Sequence, residues 1–350
     1  MPQDPLSPQA IARADPKNVY RVYEAWPRFA EQESSLTVEI GGARHFDRVI
    51  YVANGGSASA GDIIADWFLA SGGVEVSVFK GYLPKVNLSR SFVLVCSTSG
   101  STEETILLMK RLAAKKANMV AISSGGKLQH MAMELKVPHI TIPIEMAPRY
   151  SLPHVLFAAI AALRSASLVG EKKWHEVKES IESMKKVAAS LSSGSPTSQN
   201  PSKQLAQVVA PEGALPKIYG SSVTKGVAER FKGCLNENAK MNCAWASSPE
   251  LFHNEVESWE TPERKMVPVF LRHTAEPKYE RVRLDSFIDI LGMKGIRSLE
   301  IWGKGKGNLA QLVTLDYIVD FATYYAAILR GVDPLSIKII DRLKSTVVSP

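Results

Sequence analysis

The sequence predicts an α/β protein made of two doubly wound lobes, each a parallel sheet with helices on both faces. Three observations carry this. Short apolar runs each lead into a Gly/Ser-rich turn and then into a helical pattern, the signature of βα units. The same order of strand, Gly-Ser turn and helix appears in both halves of the chain. A polar stretch, SSGSPTSQNP at 192–201, lies between the halves.

The elements follow in order. Residues 48–54 (RVIYVAN) form a buried strand that runs into Gly55-Gly56-Ser57. A helix over 62–70 places Ile63, Ile64, Trp67 and Phe68 on its buried side. Strands follow at 74–79, 91–96, 119–122 and 140–144; the second of these enters Ser97-Thr98-Ser99-Gly100-Ser101-Thr102 and a helix from Glu103, and the third enters Ser123-Ser124-Gly125-Gly126. Helices over 151–167 and 173–191 complete the first half. The second half has a strand at 217–219 entering Gly220-Ser221-Ser222, a helix over 226–239, strands at 267–272 and 298–302, a long helix over 309–330 and a last helix over 334–344. The division is a first lobe over 1–190 with a leading helical segment, a linker or insertion over 191–205, and a second lobe with the C-terminal helix over 206–350.

The bulk properties narrow the function classes. The chain has 350 residues, enough for two domains with their own cores, and a formal net charge of +7 that is spread rather than clustered. That balance suits small anionic ligands, and no RNA-binding or helix-turn-helix signature points to nucleic acid. The start, MPQDPLSPQAIARADPKN, lacks the basic and apolar regions of a secretory signal. No run of about 20 uninterrupted apolar residues suggests a membrane span. Three cysteines, Cys96, Cys234 and Cys243, form neither a disulfide framework nor a close-paired thiolate zinc set. The expectation is a soluble cytoplasmic protein without a metal or cofactor.

Two loops carry the strongest chemical signal: Asn54-Gly55-Gly56-Ser57-Ala58-Ser59-Ala60-Gly61-Asp62 and Ser97-Thr98-Ser99-Gly100-Ser101-Thr102-Glu103-Glu104. Both leave the carboxyl end of a strand and enter a helix, the place where α/β sheets bind ligands. Glycine lets the backbone approach an anion, and free amides at a helix start point toward it. Ordinary N-caps would use the same residues, but two such loops in successive units favour a phosphate site. Neither has the Gly-Lys-Ser/Thr of a P-loop, and Trp302-Gly303-Lys304-Gly305-Lys306-Gly307-Asn308 lacks dinucleotide spacing. Glu237 flanked by Asn236 and Asn238, His253 in Glu250-Leu251-Phe252-His253-Asn254-Glu255, and Arg149 in Pro148-Arg149-Tyr150 are the candidate acid–base and charge-stabilising groups. Taken singly, each also has an ordinary structural reading: a solvated helix glutamate, a core or capping histidine, a surface ion pair.

Together these residues resemble the archaeal-type bifunctional phosphoglucose/phosphomannose isomerases, built from two flavodoxin-like sugar-isomerase (SIS) domains. The resemblance rests on Gly55-Gly56-Ser57, the 97–105 loop, Pro148-Arg149, Ile218-Tyr219-Gly220-Ser221, Leu235-Asn236-Glu237-Asn238-Ala239-Lys240, Pro249-Glu250-Leu251-Phe252-His253-Asn254-Glu255, Gly331-Val332-Asp333-Pro334 and Ile340-Asp341-Arg342-Leu343-Lys344. It implies that Gly55, Gly56, Ser57, Ser97, Ser99 and Thr102 hold a sugar phosphate. It further implies that Glu237 is the base of a cis-enediol isomerisation and that Arg149 stabilises the enediolate. His253, reaching in from the partner of a homodimer, and Lys344 would open and close the sugar ring. No metal or redox cofactor is implied.

The chain departs from the family pattern at Ala53, Asn54 and Ser101, and at 336–338, where Lys338 rivals Lys344 and a residue tied to mannose phosphate is replaced. A SIS protein that senses a sugar phosphate without converting it is the alternative; it would need the serine loops but not Glu237, His253 and Lys344 together. Another SIS enzyme, acting on an amino-sugar phosphate, is a third reading.

Overall fold

The computed structural model describes residues 4–40, 45–81, 87–262 and 265–346. Three short helices come first: α1 (Pro8–Ala14), α2 (Tyr20–Glu24) and α3 (Trp26–Ser34). The first lobe follows as β1 (Arg48–Val52), α4 (Gly56–Ser71), β2 (Glu75–Phe79), β3 (Ser91–Ser97), α5 (Glu103–Ala114), β4 (Asn118–Ser123), α6 (Gly126–Glu134), β5 (His139–Thr141), α7 (Leu152–Ser165) and α8 (Glu171–Leu191). Its strands pair in parallel in the order β2-β1-β3-β4-β5. The order reverses between β1 and β3, and the crevice outside such a switch point is where open α/β sheets receive ligands. β3 is buried along its whole length, which is why its sequence is an unbroken apolar run.

The second lobe repeats the plan: α9 (Pro201–Val209), β6 (Leu215–Gly220), α10 (Lys225–Ala239), β7 (Ala244–Ser247), β8 (Met266–Arg272), α11 (Lys278–Met293), β9 (Leu299–Trp302), α12 (Asn308–Leu329) and α13 (Lys338–Ser345). Its sheet is parallel, in the order β7-β6-β8-β9. β7, four residues long, is too short for a periodicity to show. α11 buries only four of its sixteen residues, Glu280 among them, so its apolar stripe is thin. The helix expected over 62–70 already begins at Gly56, directly on the Gly-Gly-Ser turn.

One apolar core runs through both lobes. Its centre is α12, which packs against α4, α8, α9 and α10. By length and composition α12 is apolar enough to cross a membrane, but it is buried inside the protein almost throughout. The N-terminal helices close this core. Tyr23 stacks on Phe321 at 4.9 Å between ring centroids, and Trp26 stacks on Tyr317 at 5.3 Å. Cys96 sits wholly buried in β3, and burial pushes its thiol up to about 12, which fits a small core residue.

The polar stretch between the lobes is folded. Asn200 caps α9 by accepting from the Lys203 amide at 3.0 Å. Lys203 is fully buried, and its ammonium donates to the carbonyls of Leu6 (2.8 Å), Ser193 (2.9 Å) and Ser195 (2.8 Å). All three donors are used, so one side chain ties the N-terminus, the end of α8 and the start of α9 together. Replacing it by Met leaves three carbonyls without their donor. Lys203→Met is expected to lose about 2–4 kcal/mol of stability, read from urea unfolding; an unchanged midpoint would show that the tie is dispensable.

Candidate functional site

The switch-point loop after β1 packs directly against the segment after β5. A Cβ at Gly56 would lie 3.3 Å from the Arg149 Cα, so glycine permits this approach. Gly55 has φ +55° and provides the turn into α4. Ser57 joins the two loops: its Oγ accepts from the Thr98 amide at 2.9 Å and meets the Thr98 hydroxyl at 2.8 Å. Ser97 Oγ and Thr102 Oγ1 pair at 2.9 Å. Gly100, at φ +65°, lies against the 123–126 turn, where a Cβ would stand 1.8 Å from the Gly125 carbonyl oxygen. Thr102 leads into α5 without a side-chain cap, as Gly55 leads into α4. Ser99 is exposed at the tip of its loop.

Opposite these loops is the C-terminal end of α10. A cleft of about 210 Å³ is lined by Gly55, Gly56 and Arg149 from the first lobe, and by Arg230, Glu237 and Trp245 from the second. Arg149 donates from Nη1 to Glu237 Oε2 at 3.2 Å, from Nε to Asn238 Oδ1 at 2.7 Å, and from Nη2 to the Pro334 carbonyl. Its side chain is 4% exposed, against 34% for Glu237. Burial works against the Arg149 charge, but Tyr150 and Glu237 outweigh it and hold the guanidinium above its usual range. The cleft therefore places a carboxylate open to solvent beside a fixed, desolvated positive charge, suited to moving a proton at a carbon whose neighbouring oxygen becomes negative.

His253 is not among the residues lining this cleft. His253 is exposed, in a short 3-10 turn over Glu250–His253. Lys344 is in α13, but its side chain lies outside the described residues. Lys338, at the start of α13, is exposed.

Sequence reasoning missed the supports behind the pair. Arg230 is buried and donates to the Arg149 carbonyl at 2.8 Å and to Asp320. Asp316 lies 3.4 Å from Arg230 Nε. Lys80, on the cleft lining, pairs with Asp62 at 2.9 Å and with Glu229. A signal for Arg230 was present: two aspartates at i and i+4 interrupt the apolar helix α12, and buried carboxylates demand a cation.

The equivalent loops of the second lobe already hold carboxylates. Glu280 accepts from the Ser222 amide at 2.9 Å and from the Ser248 hydroxyl. Glu276 accepts from the His273 amide at 2.9 Å, and Glu179 from the Lys306 and Gly307 amides, both at 3.0 Å. Among the described residues no carboxylate accepts from an amide of the first-lobe loops at 55–58 or 97–104.

Burial raises both Asp316 and Asp320, Asp316 well above the usual carboxylate range, with Arg230 opposing the shift. Arg230→Met removes that opposition, and losing one partner of a buried ion pair costs about 3–5 kcal/mol. A carboxyl raised further in the folded state binds more protons there than in the unfolded chain, so its stability is present at low pH and lost as pH rises above about 4. The stability deficit of R230M against the wild type is expected to widen from pH 4 to pH 8 in urea unfolding. A deficit that narrows over that range would refute the assignment of both charges to Arg230.

Comparison with known proteins agrees with this architecture. Residues 198–347 match the family described as the bacterial phospho-glucose isomerase C-terminal SIS domain. The bifunctional phosphoglucose/phosphomannose isomerase of Caldicellulosiruptor bescii is 30% identical over 336 residues, covering 94% of this chain and 97% of its own. The enzyme of the same name from Aquifex aeolicus is 29% identical, covering 85% and 89%. In fold, the C-terminal domain of glucosamine-fructose-6-phosphate aminotransferase from Francisella tularensis superposes with a TM-score of 0.65 at 15% identity, over 91% of this chain and 97% of that one. The two SIS-type parallel sheets, the cleft between them and the near full-length similarity place this chain in the bifunctional phosphoglucose/phosphomannose isomerase family.

Proposed function

We propose that the protein interconverts glucose 6-phosphate and mannose 6-phosphate with fructose 6-phosphate through a cis-enediol. The observation that carries this is the Arg149–Glu237 pair at 3.2 Å in the cleft lined by Gly55 and Gly56. A protein that only senses a sugar phosphate needs the loops and has no use for an exposed carboxylate held beside a buried guanidinium. The first-lobe loops, whose amides meet no carboxylate among the described residues, set against the carboxylate-filled loops of the second lobe, support phosphate binding at Gly55, Gly56, Ser57, Ser97, Ser99 and Thr102.

In this mechanism the phosphate is anchored on the first lobe and the sugar carbons lie toward α10. Glu237 takes the proton from C2 of the open-chain aldose, and the electron pair forms the C1=C2 bond. Arg149 holds the negative charge that develops on the oxygen. Glu237 returns the proton to C1 while the hydroxyl proton passes from O2 to O1, leaving the ketose. C2 is planar in the enediol, so the face of C2 presented to Glu237 in the reverse direction decides between the two aldose epimers. The chemistry requires no metal or redox cofactor.

His253 is assigned to ring opening across the interface of a homodimer, a role that its exposure and its absence from the lining of its own cleft support. Lys344 is its proposed counterpart. The three thiols are all free, which supports a reducing cytoplasm.

Glu237→Gln keeps the shape and loses the base. It is expected to reduce turnover of fructose 6-phosphate at least about 1,000-fold while substrate binding by calorimetry changes little; turnover within tenfold of wild type would sink the base assignment. Gly100→Ala is expected to fold but to weaken sugar-phosphate binding about tenfold or more, because its Cβ has to displace the Gly125 carbonyl. Unchanged binding would move the phosphate site away from the 97–104 loop. A coupled assay that detects glucose 6-phosphate and mannose 6-phosphate separately tests both specificities.

A further inference from the structure

We propose that Asn238 is a positioning residue that keeps Arg149 and Glu237 from neutralising one another. The inference rests on reading that pair as the catalytic base and its electrostatic partner. An arginine next to a carboxylate ordinarily closes into a bidentate pair, either on its Nη1/Nη2 end or along the Nε/Nη2 edge. Such a pair would draw Glu237 into two charge-assisted hydrogen bonds and weaken it as a base. Here both routes are blocked by neutral acceptors. Asn238 Oδ1 takes Nε at 2.7 Å, and the Pro334 carbonyl takes Nη2. Nη1 alone reaches Glu237, through one oxygen at 3.2 Å.

The orientation of the Asn238 amide is fixed by its other partners. The side chain is fully buried. Its oxygen also accepts from the Tyr150 hydroxyl at 3.0 Å. Its Nδ2 donates to the Tyr23 hydroxyl at 3.1 Å and to Thr323 Oγ1 at 2.7 Å. The Thr323 hydroxyl spends its own proton on the Asp320 carbonyl at 2.7 Å, so toward Asn238 it is an acceptor. Thr323 thereby selects the amide face presented to Arg149: a flipped amide would set its NH₂ against the Arg149 Nε–H and its oxygen against Thr323 Oγ1, whose proton is already spent. The chain of contacts runs from α12 through Asn238 to Arg149, and only its last member faces the cleft.

The test is a double-mutant cycle with sugar-phosphate kinetics. Asn238→Ala is expected to lower kcat about 10- to 100-fold with KM for fructose 6-phosphate changed less than about threefold, because the phosphate anchor is on the other lobe. In an Arg149→Lys background, where no Nε remains to be held, the same change is expected to cost less than about threefold. Thr323→Val removes the acceptor that sets the amide but touches neither Arg149 nor the cleft. It is expected to lower kcat about tenfold in the wild type and not in R149K. A merely structural role would give equal factors in both backgrounds. Equal factors, a wild-type kcat in N238A, or a rise in KM at constant kcat would each overturn the proposal. If N238A fails to fold, T323V decides by the same cycle. Full kcat in R149K and in Arg149→Ala would instead overturn the catalytic reading of Arg149 itself.

Discussion

Arg230 lies on α10 with its guanidinium out of water, and a desolvated charge of that size is tolerated only with fixed opposite charge beside it. Asp316 and Asp320, one turn apart on α12, supply that charge. The requirement fixes the register of α12 against α10. Arg230 also donates to the Arg149 carbonyl, so the second lobe's helix pair grips the backbone of the first lobe at the residue facing Glu237. The geometry of the cleft thus depends in part on a charge balance struck where Arg230, on the cleft lining, reaches into the core. Loosening α12 would act on Arg149 through Arg230 and the Arg149 backbone carbonyl.

The same helix accounts for the shared core. A span as apolar as α12 has to be covered on every side. It is covered by α8 from the first lobe, by α9 and α10 from the second, and by the aromatic side chains of the N-terminal helices. The lobes are separate as sheets but continuous as a core. Lys203 fits this picture: the junction between the lobes is held by a buried ammonium, and the polar composition that reads as a linker is the composition needed to supply its three carbonyls and the Asn200 cap.

Much of this was legible in the sequence, because the strands of a doubly wound fold are contiguous apolar runs and its ligand loops follow them directly. β1, β3 and the Gly55-Gly56-Ser57 turn could be named from residue type and position; Arg149 and Glu237 stood out only as separate candidates, and their joint role came from the family resemblance. The elements that escaped include β7, with four residues, and α11, whose buried Glu280 breaks the apolar stripe, together with α6, hidden behind its Gly/Ser turn, and α9, whose start falls in the stretch read as a linker. The supports of the site escaped for a different reason. Asn238 contacts residues 88 and 85 positions away, at Tyr150 and Thr323, and such partners have no expression in spacing.

The two lobes carry the same strand-turn-helix grammar, yet the cleft uses them unequally, and the carboxylates explain how. A carboxylate has the charge sign and acceptor geometry that a loop of backbone amides favours. Tethered to the chain, it occupies such a loop ahead of any free anion. Glu280 reaches the Ser222 amide from 58 positions away, and Glu179 reaches the Gly307 amide from 128. A Gly/Ser turn read by itself cannot reveal whether its amides are already taken; that depends on a distant glutamate. The second lobe's loops hold carboxylates from either lobe, whereas among the described residues the first lobe's loops at 55–58 and 97–104 hold none. The second lobe contributes instead the end of α10, where Glu237 and Asn238 meet Arg149. One plan present twice, with the loops of one copy taken by carboxylates, is sufficient to make two similar lobes the two unlike walls of the candidate site.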